Sequence, residues 1–254
     1  MSFLDWLFST YPNPHKNGEW GALHITVLTL SIAFIIISSI LFKSKSKGGK
    51  YLTLCIMAGI LIFFGLTRRV VGFIKMTDYS TYNVLYTLLP RPGCAISCWL
   101  VVIAVLINKK FFYNFASIIS ILCGVIFFAY PGAGFLNEYI LFENLYSIIT
   151  HALFFIMSIC FITYGFTDFK YNTIYKEGIC FAIMLVYTFL EIYVLKINSD
   201  PFYFMPGNEV MKILGIDYSL FLPLFLVFIV VYLNAYYLIP NYLVPMLKKS
   251  KNNQ

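Results

Sequence analysis

The sequence predicts an all-α fold: a polytopic transmembrane helical bundle of about seven spans, N-terminus outside and C-terminus cytoplasmic. Three observations carry this. Only 11% of the 254 residues are charged, against 60% hydrophobic and 19% aromatic, where a soluble domain carries roughly 25% charged residues. The apolar residues gather in runs of about 20, enough to cross about 30 Å of hydrocarbon as helix. Lysines recur in alternate loops, the pattern of cytoplasmic loops. These features exclude a soluble enzyme, a disordered chain and a nucleic-acid-binding domain. The net charge of +7 belongs to basic loops flanking spans. A transmembrane β-barrel is excluded too, because its segments of about ten residues alternate apolar and polar positions.

The elements follow in order. Residues 1–19 form a short interfacial segment: Trp6 and Tyr11 suit the headgroup region, and Pro12 and Pro14 end it. No basic stretch precedes its apolar patch and no small-residue cleavage site follows, so the first span is expected to act as an uncleaved signal anchor. Spans are expected near 20–42, 50–74, 83–107, 111–130, 139–164, 176–197 and 219–246. Pro240 and Pro245 kink or stop the last one. With seven spans, Lys43, Lys45, Lys47 and Lys50, then Lys109 and Lys110, Lys170 and Lys176, and Lys248, Lys249 and Lys251 all fall on one side. That side is the cytoplasm. One membrane domain covers 1–254, with the bundle at 20–247 and a basic cytoplasmic tail at 248–254.

All six cysteines lie inside predicted spans, so no disulfide framework is expected. Cys55, Cys98, Cys123, Cys160 and Cys180 read as small buried hydrophobes. No Cys or His spacing fits a metal, and no cofactor is expected.

Ionisable residues inside a membrane are costly, so each marks a candidate site. His24, Arg68, Arg69, Arg91, His151 and Glu191 lie within spans, mostly displaced toward the outer leaflet. They predict a polar cavity opening outward. His24 has the bland alternative of snorkelling to the interface. For Arg68 and Arg69 the alternative is holding lipid phosphates, and for Glu191 a structural ion pair. The run LLPRPGCAISCW sets Pro90, Pro92 and Gly93 just before Cys94. Such residues break a helix, and broken backbone at membrane depth requires protein or water around it. A helix restarting near Gly93 puts Cys94 at its N-terminus, where free amides and the helix dipole favour a thiolate. By helical rise, Cys94 lies about 15 Å and His151 about 18 Å below the outer ends of their spans. The two match in depth, as Cys–His nucleophilic chemistry requires.

Several segments resemble the YwaF / transmembrane protein 164 family of integral membrane proteins. GALHITVLTL at 21–30 is similar to that family's His-containing first helix, and LLPRPGC at 88–94 to its LP-x-x-x-C element. YPGAGF at 130–135 followed by ITHALFF at 149–155 resembles its proline-containing loop and His-bearing helix. NSDPFYFMPGNEVMKILGIDY at 198–218, with Asn208, resembles its segment before the last helix. One departure is plain: the family usually carries a His just before the central Cys, where this chain has Arg91, Pro92 and Gly93.

The resemblance implies a phospholipid acyltransferase, with Cys94 as nucleophile and His151 as base. Substrate contacts would come from His24, Arg68, Arg69, Arg91, Glu191 and Asn208. The expected partners are membrane phospholipids or lysophospholipids, without nucleic acid, and the expected location is the cell membrane. The choice of His151 over His24 rests on depth and on the resemblance. The competing expectation is a transporter or binding protein for lipids or small solutes, without catalysis. A structural subunit with a membrane-protein partner is a third.

Overall fold

The computed structural model describes residues 21–42, 44–90, 93–129, 141–195 and 209–238, with Leu7, Phe135 and Pro206 besides. The expected interfacial segment, the loop at 130–134, the stretch 198–205 and the basic tail lie outside the described residues. So do Arg91 and Asn208.

Among the described residues the chain is all helical. The helices are α1 (Ala22–Leu41), α2 (Lys47–Ile74), α3 (Thr81–Leu88), α4 (Gly93–Ile107), α5 (Lys110–Ala129) and α6 (Phe142–Thr163). They continue with α7 (Ile174–Phe189), α8 (Glu209–Leu214) and α9 (Tyr218–Leu238). A 3-10 turn, Tyr171–Thr173, leads into α7, and a π-helical turn, Leu190–Val194, extends it. Six of these helical stretches are long and apolar enough to cross a membrane. Their outward faces are apolar: Leu30, Ile40, Leu106 and Val231 are more than 60% exposed. In water such surfaces would aggregate; in lipid they are the solvated face. The protein is therefore a multi-pass membrane protein.

The stretch expected as one span at 83–107 is instead two helices, α3 and α4, bent by 57° at the break. Leu89 is extended, as a residue before proline prefers, and Pro90 cannot continue the α3 hydrogen-bond ladder.

The chain divides into two compact units, residues 1–167 and 168–254. In the first, α4, α5 and α6 pack around Val101, Ala116, Phe154 and Phe161, with Leu54 and Leu61 of α2 against them. All six side chains are essentially inaccessible. Small residues let the helices approach, as in other membrane bundles. A Cβ at Gly124 of α5 would stand 2.8 Å from the Phe155 Cβ of α6, so glycine is needed there. Asn108, at φ 53°, turns the chain from α4 directly into α5, a conformation asparagine tolerates. Its Oδ1 accepts a hydrogen bond from the Tyr113 hydroxyl at 3.1 Å. This short turn makes α4 and α5 antiparallel neighbours.

In the second unit, the buried positions of α7 and its π turn are Glu177, Met184, Thr188 and Glu191. They repeat at helical spacing and so form one stripe. On α9, Pro223 lies inside the helix. Tyr171 donates to Asn234 Oδ1 at 2.8 Å, joining the 3-10 turn to α9.

Candidate functional site

The site is built on the broken span. α4 begins at Gly93, so Cys94 lies in its first turn, where backbone N–H groups have no intrahelical acceptors. The expected restart near Gly93 is the observed one.

The Cys94 thiol stands beside the Cys123 thiol of α5. Helix register explains the pairing. Ser120 Oγ donates to the Ser97 carbonyl at 3.4 Å. From that contact, one turn back along α4 reaches Cys94, and one turn forward along antiparallel α5 reaches Cys123. Both thiols are half-buried. Ser97 flanks Cys123 on the same seam.

Cys123 and Phe127 stand four residues apart on α5 and share a face. His151 of α6 stacks on the Phe127 ring, with centroids 3.8 Å apart and planes within 17°. Its Nδ1 is 2.6 Å from the Ser147 carbonyl oxygen. A carbonyl only accepts, so Nδ1 carries a proton, and it is Nε2 that holds the lone pair when the ring is neutral. Cys94 and His151 thus address one face of α5, a turn apart, and are not hydrogen-bonded to each other.

His24, fully buried on α1, packs on the same aromatic cluster. Its ring lies 4.6 Å from Phe135 and 6.3 Å from Phe128, and Phe135 lies 5.3 Å from Phe127. The ring also reaches the Phe128 backbone. Full burial beneath these rings is not the position of a snorkelling side chain.

The two arginines of α2 differ. Arg69 donates from Nε to the Leu88 carbonyl and from Nη1 to the Gly65 carbonyl, each at 3.0 Å. Leu88 is the last residue of α3, so Arg69 satisfies a carbonyl orphaned by the break. Its guanidinium lies 5.1 Å over the Trp99 ring and within electrostatic reach of Cys98. Arg68, exposed, stands 5.1 Å over the Tyr146 ring. Tyr146 is within electrostatic reach of both arginines, Cys94 and Cys98. Arg68, Arg69, Trp99, Tyr146 and Cys98 interact near the start of α4. His24 and His151 pack on the aromatic cluster of Phe127, Phe128 and Phe135.

Glu191 belongs to the second unit, buried in the π turn, where Tyr187 donates to its Oε1 at 2.8 Å. Fully buried Glu177, near the start of α7, lies beside Tyr237 of α9.

Sequence reasoning passed over Cys123, Tyr146, Trp99 and Glu177. For Cys123 a signal existed: the small and polar residues Ser117, Ser120, Cys123 and Gly124 recur along α5 at close-packing spacing. Glu177 falls at the very start of the span expected at 176–197, where a carboxyl reads as an end residue. Among the described residues no group of three or more His, Cys, Asp or Glu is arranged to hold a metal.

No protein-family model, curated protein or solved structure matches this chain.

Proposed function

We propose that this protein is a membrane-embedded lipid acyltransferase or transacylase of the Cys–His type, acting on phospholipids or lysophospholipids in a cell membrane. The observation that carries the reading is His151 Nδ1 held 2.6 Å from the Ser147 carbonyl oxygen. A neutral imidazole held through Nδ1–H on a backbone carbonyl offers Nε2 as a base. It stacks on Phe127 of α5, one turn from Cys123, the residue beside the Cys94 thiol in the first turn of α4. The resemblance to the YwaF / transmembrane protein 164 family supports the same assignment.

In the reaction, the Cys94 thiol turns from Cys123 toward His151 and passes its proton to Nε2. The sulfur attacks the ester carbonyl carbon. The tetrahedral oxyanion is stabilised by the free amides at the start of α4. Collapse breaks the ester C–O bond, and the Nε2 proton goes to the leaving oxygen, releasing a lysophospholipid and leaving an acyl thioester on Cys94. An acceptor hydroxyl then gives its proton to Nε2 and attacks the thioester; the C–S bond breaks, and the leaving thiolate takes the proton back from Nε2 to restore the Cys94 thiol. Arg68 contributes an exposed guanidinium for the lipid phosphate, whereas Arg69 is committed to the α3 terminus. With α3 and α4 counted as one span, the chain crosses seven times, N-terminus outside and C-terminus cytoplasmic.

A second reading, transport of a small solute or lipid, is favoured by one observation. The buried stripe from Glu177 to Glu191 runs along α7 for about 21 Å by helical rise, and buried carboxyls in spans mark ion and proton paths.

The two readings separate on Cys94. Purified protein is reconstituted with a phospholipid and a lysophospholipid of different chain length, and acyl exchange is followed by mass spectrometry. Acyl transfer predicts exchange that Cys94→Ala and His151→Ala each reduce by at least about 100-fold, the scale on which a catalytic nucleophile or base acts. Exchange retained in Cys94→Ala ends the mechanism.

A further inference from the structure

All six cysteines are free thiols, and five of them, all but Cys180, pack in or against the core of the first unit. One pair among them is placed for chemistry between two sulfurs. Cys94 and Cys123 come from different helices and stand side by side. The seam between α4 and α5 fixes that contact. The helices run antiparallel from the turn at Asn108 and meet where Ser120 Oγ donates to the Ser97 carbonyl at 3.4 Å. Cys94 precedes Ser97 by three residues and Cys123 follows Ser120 by three, so the two thiols meet at the next level of the seam. Small side chains there keep the backbones close.

The other thiols are placed differently. Cys98 is one turn from Cys94 on the same helix, where Cβ atoms stand about 5–6 Å apart. A disulfide needs roughly 3.5–4.5 Å, so those two do not join without unwinding α4. Cys160 faces Ser38 Oγ at 3.8 Å, and Cys55 lies beside Tyr51. Cys98 and Cys160 are also buried, whereas Cys94 and Cys123 are only half-buried. A small neutral oxidant therefore meets this pair first, and a sulfur oxidised next to a second thiol is resolved by it.

We propose that Cys94 and Cys123 form a redox-sensitive pair, closing to a disulfide in the presence of a peroxide and reopening with a thiol reductant. One sulfur attacks the O–O bond of hydrogen peroxide and becomes a sulfenic acid, releasing water. The neighbouring thiol attacks that sulfur, its S–O bond breaks, and a second water leaves as the S–S bond forms. Two thiols are oxidised and one peroxide is reduced. Dithiothreitol reverses the step by exchange and leaves as its own cyclic disulfide. A closed pair has no free Cys94 sulfur, so oxidation switches acyl transfer off; that consequence alone rests on the acyltransferase reading.

The test uses the full chain in detergent, reduced, freed of reductant and exposed to hydrogen peroxide. It is then denatured, alkylated, digested and examined by mass spectrometry. The expected result is an intact mass lower by two hydrogen atoms and a linked peptide pair carrying Cys94 and Cys123, both reversed by dithiothreitol. Cys98→Ser and Cys160→Ser keep the link. Cys94→Ser and Cys123→Ser lose it, and in at least one of them dimedone captures the remaining sulfur as a sulfenic acid. A Cys94–Cys98 link overturns the proposal. So do sulfinic or sulfonic acid on either sulfur without the linked pair, and two unmodified thiols at a peroxide level that oxidises glutathione in the same solution. Equal linkage in protein unfolded before oxidation overturns it as well, because the helix seam then plays no part. Acyl exchange measured on the same samples keeps the two readings apart: a reduced protein that exchanges nothing yet forms the link supports the thiol pair and removes the acyltransferase assignment.

Discussion

Arg69 ties the broken span to its neighbour. A helix that stops at proline leaves its last carbonyls without donors, and in a membrane no bulk water replaces them. The Arg69 guanidinium supplies one donor to Leu88 and one back to Gly65, while its flat face rests on Trp99. Arg68, the next residue along the chain, spends its charge on an exposed face over Tyr146. The adjacent arginines should therefore respond differently. Arg69→Ala is expected to lower stability by about 1.5–3 kcal/mol, the range for a lost hydrogen bond to a charged group. Arg68→Ala should change it by no more than about 0.5 kcal/mol, as for an ordinary surface position. Thermal unfolding in a defined detergent reads both; equal losses in the two variants would contradict the division of labour. Nothing in the sequence separates Arg68 from Arg69. The difference arises because helix phase turns only the second toward the end of α3, a contact 19 residues away in the chain.

At the level of elements, hydropathy located the spans because lipid demands long apolar helices whatever they pack against. The break was legible too, since Pro90 and Pro92 impose it locally. The pairing of α4 with α5 was not, because side chains facing lipid and side chains facing protein are equally apolar. Cys123 therefore read as one more small hydrophobe. Its partnership follows from a tight turn at Asn108 and a seam of small residues, which bring Ser97 to Ser120 and Cys94 to Cys123. A short bifunctional thiol reagent should join Cys94 to Cys123 within one chain, giving a cross-linked peptide pair after digestion. Cys94→Ser or Cys123→Ser should abolish that pair, and Cys160→Ser should leave it. A cross-link from Cys94 to Cys98 instead would contradict the register of the two helices.

Across the molecule, the described helices form two compact units. The first holds Cys94 and Cys123, His24 and His151, and the adjacent arginines; the second holds Glu177 and Glu191, buried on α7 and its π turn. The sequence predicted that polar residues would cluster, and within the first unit several do. Cys94 stands beside Cys123 and His151 stacks on Phe127, one turn apart on α5, and His151 Nδ1 is held by the Ser147 carbonyl. That arrangement makes the covalent intermediate the most direct test of the proposed chemistry. The purified protein is mixed with a phospholipid, quenched in acid and examined by intact and peptide mass spectrometry. Acyl transfer predicts a fatty acyl group on the Cys94 peptide, released by neutral hydroxylamine as a thioester should be, and accumulating when acceptor is withheld. A protein that exchanges acyl chains without ever carrying one on Cys94, or that carries none and exchanges none, would contradict a Cys94 thioester mechanism.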